Sequence, residues 1–118
     1  MSIPVRWLSE NMAVAGQIGP RDIAAIAEMG FKSVICNRPN AEYGPDQPAA
    51  EDVQAACNAA GLVFGWVPVT PDGGTGQDAQ AMGKLMTELP TPILAYCRTG
   101  NRCITLLGNV VGIGHAIP

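Results

Sequence analysis

The sequence predicts an α/β protein of three layers, with a mostly parallel central sheet flanked by helices. Three observations predict it. Short apolar runs rich in Val and Ile recur along the chain, helical patterns separate them, and one run ends on Cys97 just before a glycine-containing loop and a new apolar stretch. Strands that alternate with helices pair in parallel, because the crossover helix returns the chain to the same end of the sheet. In such sheets ligands gather beyond the carboxyl ends of the strands, where Cys97 is expected to lie.

The elements follow in order. Trp7-Leu8 and Met12-Ala13-Val14-Ala15 read as two short strands around a turn at Ser9-Glu10-Asn11. Pro20 suits a helix start, and Ile23, Ile26, Ala27 and Met29 keep helical spacing up to Gly30. The β-branched run from Phe31 to Cys36 is a strand. Residues 37–48 form a polar loop with Pro39, Pro45 and Pro48. The alanine-rich segment 49–60 is helical and Gly61 stops it. Leu62 to Val69 reads as a buried strand, 70–76 as a glycine-rich loop and 78–89 as a helix. Ile93 to Tyr96 is the strand that delivers Cys97. In the last segment, 104–118, Leu106, Leu107, Val110 and Val111 mark one helical face. Gly108, Gly112 and Gly114 interrupt it, each at a cost of roughly 1 kcal/mol. The sheet is therefore expected to be short of its last covering helix, as though truncated at the C-terminus.

Composition bounds the function. The chain of 118 residues is expected to form a single domain over 1–118. Its net charge of −3, with only 7 Lys and Arg, excludes a basic surface for nucleic acid or an anionic membrane. No apolar run approaches the ~20 residues of a membrane span. The N-terminus lacks a signal-peptide pattern, so a cytoplasmic protein with reduced thiols is expected. The 4 cysteines form no Cys-x2-Cys pair and there is 1 histidine, so neither a metal site nor a cofactor is expected.

The chemistry concentrates in Cys97-Arg98-Thr99-Gly100-Asn101-Arg102-Cys103. A strand, a tight loop and a helix N-terminus converge unpaired N–H groups and the positive end of the helix dipole on one point. A cysteine there is stabilised as its thiolate, which is the nucleophile. Cys97 is the expected nucleophile, and Arg102 supplies a planar fork for a tetrahedral anion. Arg98, Thr99, Gly100, Asn101 and Arg102 are the expected substrate-binding residues. Asp72, in a loop after a strand, is the candidate general acid, with Asp-Gly turn chemistry as its competing role. Arg38 and Asn40 are expected to stabilise their loop, with pocket lining as the alternative. Cys36 and Cys57 read as packing residues. So does Cys103, for which a redox partnership with Cys97 is the lesser alternative.

Two enzyme classes use such a cradle. Protein tyrosine and dual-specificity phosphatases carry His-Cys-x5-Arg, whereas rhodanese-type sulfurtransferases use a loop one residue shorter, often Cys-Arg-x-Gly-x-Arg. The Cys97 to Arg102 step resembles the second. Residues 12–103 resemble the phosphatase-like domain of the beta-lactamase-hydrolase-like proteins, a bacterial family also described as sulfur transferases. The resemblance rests on Val14-Ala15-Gly16-Gln17, Gly30-Phe31-Lys32-Ser33-Val34-Ile35, Asn37-Arg38-Pro39-Asn40-x-Glu42, Val67-Pro68-Val69 and the Cys97 loop. It implies a dual-specificity-phosphatase-like fold with a rhodanese-like loop. The family's loop usually ends in Ser or Thr where this chain has Cys103.

The leading expectation is a sulfurtransferase that carries sulfur as a Cys97 persulfide and passes it to an acceptor thiol or cyanide. The alternative is a phosphatase working through a Cys97 phosphocysteine. A module that binds anions or senses redox state without turnover is the third. The expected substrate is a small anion: thiosulfate, a persulfide or a phosphate ester.

Overall fold

The computed structural model describes residues 2–118. Strand β1 (Arg6–Trp7) pairs antiparallel with β2 (Met12–Ala15). A short 3₁₀ turn, Pro20–Asp22, leads into α1 (Ile23–Glu28). Then follow β3 (Ser33–Cys36), α2 (Ala50–Ala60), β4 (Val63–Trp66), α3 (Gly76–Glu88), β5 (Ile93–Tyr96) and α4 (Asn101–Gly112). The sheet order is β1-β2-β5-β3-β4, and every pair except β1 with β2 is parallel.

Side chains of a strand alternate between faces, and the core divides accordingly. Met12, Val14, Ile35, Ile93 and Ala95 face Met82 and Met86 of α3 and Leu106 and Val110 of α4. Ala13, Ala15, Val34, Leu94 and Tyr96 face Ile23 and Ile26 of α1 and Val53 and Cys57 of α2. This is the three-layer sheet with helices on both faces that the sequence predicts.

The pairing registers place Ala15, Tyr96, Cys36 and Trp66 in one row across the carboxyl ends of the parallel strands. Cys97 is the next residue after that row. It continues the β5 alternation into the α3/α4 side of the core, and its N–H donates to Ala15 O at 3.3 Å.

Some elements differ from the sequence reading. The strand expected over 62–69 ends at Trp66 and lies at a sheet edge, with Val63 43% and Trp66 42% exposed. Pro68 has no N–H to continue a ladder, but Val67 and Val69 still donate to Cys36 O and Asn37 O. The first strand is Arg6–Trp7, because Leu8 already turns to bond Met12 O. The covering helix expected to be missing is present as α4. Its buried residues Cys103, Leu106, Leu107 and Val110 recur at helical spacing, while Gly108 and Gly112 lie on the exposed face, where they leave no gap in the packing. No helix among the described residues is long and apolar enough to cross a membrane.

Candidate active site

The loop 97–100 leaves β5 and turns directly into α4. Gly100 caps that helix with φ of 92°, a left-handed conformation that a side chain would strain. The turn swings the Gly100 N–H onto Cys97 Sγ at 3.0 Å. The loop rests on the segment just after β2: Gln17 N–H donates to Arg98 O, and a Cβ on Gly16 would come within 3.2 Å of that same oxygen.

Cys97 Sγ accepts the Gly100 N–H, and the Cys103 thiol and the backbone N–H groups of Cys103 and Thr99 lie close enough to stabilise its charge. Burial opposes ionisation, yet these donors, the Cys103 thiol foremost, hold the Cys97 pKa down at about 5. Cys97 is thus a thiolate at neutral pH. The Cys103 thiol is pushed well above its ordinary value, first because it donates to Cys97 and then because it is buried.

Arg102 is 6% exposed and anchored from two other parts of the chain. Its Nη1 and Nη2 donate to the two Glu42 carboxylate oxygens, each at 2.9 Å, and Nη1 also donates to Val69 O at 3.0 Å. Its Nε–H is buried without a partner among the described residues. A bidentate Glu fixes the plane of the guanidinium and leaves that third edge as an unsatisfied donor. Arg102 holds the Glu42 carboxyl below its ordinary range, and Arg38 adds to the effect.

Of the remaining predicted residues, Arg98, Thr99 and Asn101 share a cleft with this pair, whereas Gly100 and Asp72 do not line it. A cleft of about 140 Å³ is lined by Tyr43, Pro71, Cys97, Arg98, Thr99, Asn101 and Arg102. The Arg98 guanidinium lies over the Tyr43 ring, 4.7 Å from its centroid. Thr99 Oγ1 accepts from Asn101 N–H at 3.3 Å, which tightens the turn. Arg38 donates to Glu42 at 2.9 Å and to Gln17 Oε1 at 2.8 Å, so it braces the loop, as expected. Asn40 also serves structure: its Oδ1 accepts from Ala50 N–H at the start of α2.

Asp72 does not line the cleft. Its Oδ1 accepts from Thr70 Oγ1 at 2.5 Å and from Gly74 N–H at 3.0 Å. These bonds, Thr70 first, hold the exposed carboxyl below its ordinary pKa. This geometry is the turn role, and it keeps the group as a carboxylate. The residue with no assigned role in the sequence reading is Glu42. Its signal is the Arg38-x-x-x-Glu42 spacing, an acid placed amid the few arginines of the chain.

A match to known sequences decides the family. Residues 4–114 fit the family model described as "Beta-lactamase hydrolase-like protein, phosphatase-like domain". The chain belongs to that family. A beta-lactamase hydrolase-like protein from Agrobacterium fabrum is 35% identical over 99 residues, covering 84% of this chain and 23% of the relative. The chain therefore spans about a quarter of the length of such relatives. A crystal structure of a candidate phosphatase from Neisseria meningitidis superimposes with a TM-score of 0.81 at 32% identity, covering 91% of this chain and 75% of that one. Another candidate phosphatase, from Shewanella putrefaciens, shares the fold with a TM-score of 0.76 at 16% identity, covering 95% and 71%.

Proposed function

We infer that this phosphatase-like domain is a cysteine-dependent phosphatase that acts on small phosphate compounds with a weakly basic leaving group. One observation carries the reading: a thiolate, Cys97, lines the same small cleft as Arg102, whose buried Nε–H lacks a partner among the described residues. The phosphatase-like names of the family and of the Neisseria relative support it. They favour phosphate chemistry over the sulfur transfer expected from the Cys97 to Arg102 spacing.

In this reading the Cys97 thiolate attacks phosphorus, and a phosphocysteine forms as the leaving group departs with the bonding pair. Arg102 Nε–H takes an equatorial oxygen, and loop N–H groups that now solvate the thiolate take the others as charge moves from sulfur to phosphate. Water then cleaves the S–P bond. The leaving group must depart without a proton donor. Glu42 is committed to Arg102 and Arg38, and Asp72 is held as a carboxylate within its own turn. Aryl phosphates and phosphoanhydrides meet that requirement.

The test is hydrolysis of a series of aryl phosphates whose phenols increase in pKa, in wild type and Asp72→Asn. The expected result is a steep fall in rate along the series and little effect of the substitution. A flat series, together with a loss of roughly 10²–10⁴ in Asp72→Asn, the usual contribution of a general acid, refutes the substrate class. No hydrolysis of any member refutes the phosphatase reading itself. The short Cys97 to Arg102 step favours a second reading, sulfur transfer through a Cys97 persulfide. Its test is mass spectrometry after thiosulfate, which must show one added sulfur on Cys97.

A further inference from the structure

Beyond substrate turnover, the site holds a second thiol. Cys103 lies in the first turn of α4, and both it and Cys97 are 0% exposed within one apolar cluster. Cys103 packs in the same buried cluster as Cys97, near enough for its thiol and backbone N–H to stabilise charge on Cys97 Sγ. The other buried cysteines are directed elsewhere. The Cys36 thiol donates to Arg38 O at 3.3 Å, and Cys57 packs on the opposite face of the sheet. Cys97 alone among the four lines the cleft, so an oxidant that enters the site meets it first.

We propose that Cys97 and Cys103 are a reversible redox pair, in which a hydroperoxide oxidises Cys97 and Cys103 resolves the product as an intramolecular disulfide. In the first step the Cys97 thiolate attacks the terminal peroxide oxygen. An S–O bond forms and the O–O bond breaks. The released oxygen picks up a proton and leaves as water or an alcohol. Cys97 is now a sulfenic acid, oxidised by two electrons, and the peroxide is reduced by the same two. In the second step the Cys103 sulfur attacks the Cys97 sulfur. The S–S bond forms, the S–O bond breaks, and hydroxide leaves with the Cys103 proton as water. A dithiol reductant reverses the change by thiol exchange.

The pairing protects the nucleophile. A sulfenic acid with no thiol beside it proceeds under further peroxide to sulfinic and sulfonic acids, which thiols do not reduce. With Cys103 already in contact, the disulfide closes before a second peroxide arrives.

The experiment treats the reduced full chain with a several-fold excess of hydrogen peroxide, because the sulfinic and sulfonic acids consume about two and three peroxides per sulfur, then blocks free thiols and maps tryptic peptides by mass spectrometry. Cleavage after Arg98 and Arg102 leaves Cys97 on peptide 85–98 and Cys103 on peptide 103–118. The expected product is those two peptides joined, separating again with dithiothreitol. In Cys103→Ser the same treatment should drive Cys97 to the sulfinic and sulfonic acids, beyond rescue by dithiothreitol. Cys97 over-oxidised in the wild type, or joined to the Cys36 peptide, overturns the proposal. So does a Cys103→Ser chain whose Cys97 returns fully to the thiol. If circular dichroism shows that Cys103→Ser does not fold, the wild-type peptide map decides alone. The readout is covalent mass, so it stands whether or not the domain hydrolyses phosphate.

Discussion

A charged sulfur among apolar neighbours is unfavourable unless donors surround it, and Cys97 has them in Thr99, Gly100 and Cys103. Its reactivity should therefore follow a low titration. Alkylation by iodoacetamide should rise with pH through a midpoint near 5 and be level by neutrality. Cys103→Ala removes the largest stabilising bond and should move that midpoint upward. An unmoved midpoint would show that the backbone donors suffice. Cys97→Ser should abolish p-nitrophenyl phosphate hydrolysis while leaving the circular dichroism spectrum unchanged, since oxygen and sulfur differ little in volume here but greatly in acidity. Cys97 and Arg102 were readable from sequence because adjacent spacing defines a cradle. Asp72 was not, because a chain pattern cannot tell whether a carboxylate faces its own turn or a neighbouring cleft.

Elements meet at this site through side chains that no local pattern connects. Glu42 comes from the loop after β3, Val69 from the segment after β4, and Arg102 from α4. Glu42→Gln keeps the shape but removes the charge that orients the guanidinium. It should lower stability by roughly 1–3 kcal/mol, the scale of losing hydrogen bonds to a charged group. It should also cut kcat/KM for an aryl phosphate by about 10–100-fold through misplacement of the anion donor. Chemical denaturation and steady-state kinetics measure the two effects separately. The strands and helices were largely legible because alternation and helical spacing carry them. The α4 glycines misled because intrinsic propensity counts each glycine equally, whereas Gly108 and Gly112 fall on the solvent side and the packed residues hold the helix.

At the scale of the molecule, the site forms only when α4 and the segments after β3 and β4 close together at one end of the sheet. Leu106 is 0% exposed between α4 and the sheet. Leu106→Ala should destabilise the chain by roughly 2–5 kcal/mol, the usual cost of such a cavity, as read from the urea midpoint. The low Cys97 titration is likewise a property of the assembled fold. In the unfolded chain that thiol regains its ordinary value of 9.0, against about 5 when folded. Between those limits the unfolded state carries one more proton at this sulfur than the native state. The resulting stabilisation is complete above the unfolded value and fades as pH falls through the folded one. Denaturation at neutral pH should thus draw a proton from the buffer, an uptake absent in Cys97→Ser. The nucleophile thereby doubles as a built-in acidity gauge of whether the polypeptide is folded, readable by a pH indicator without any substrate.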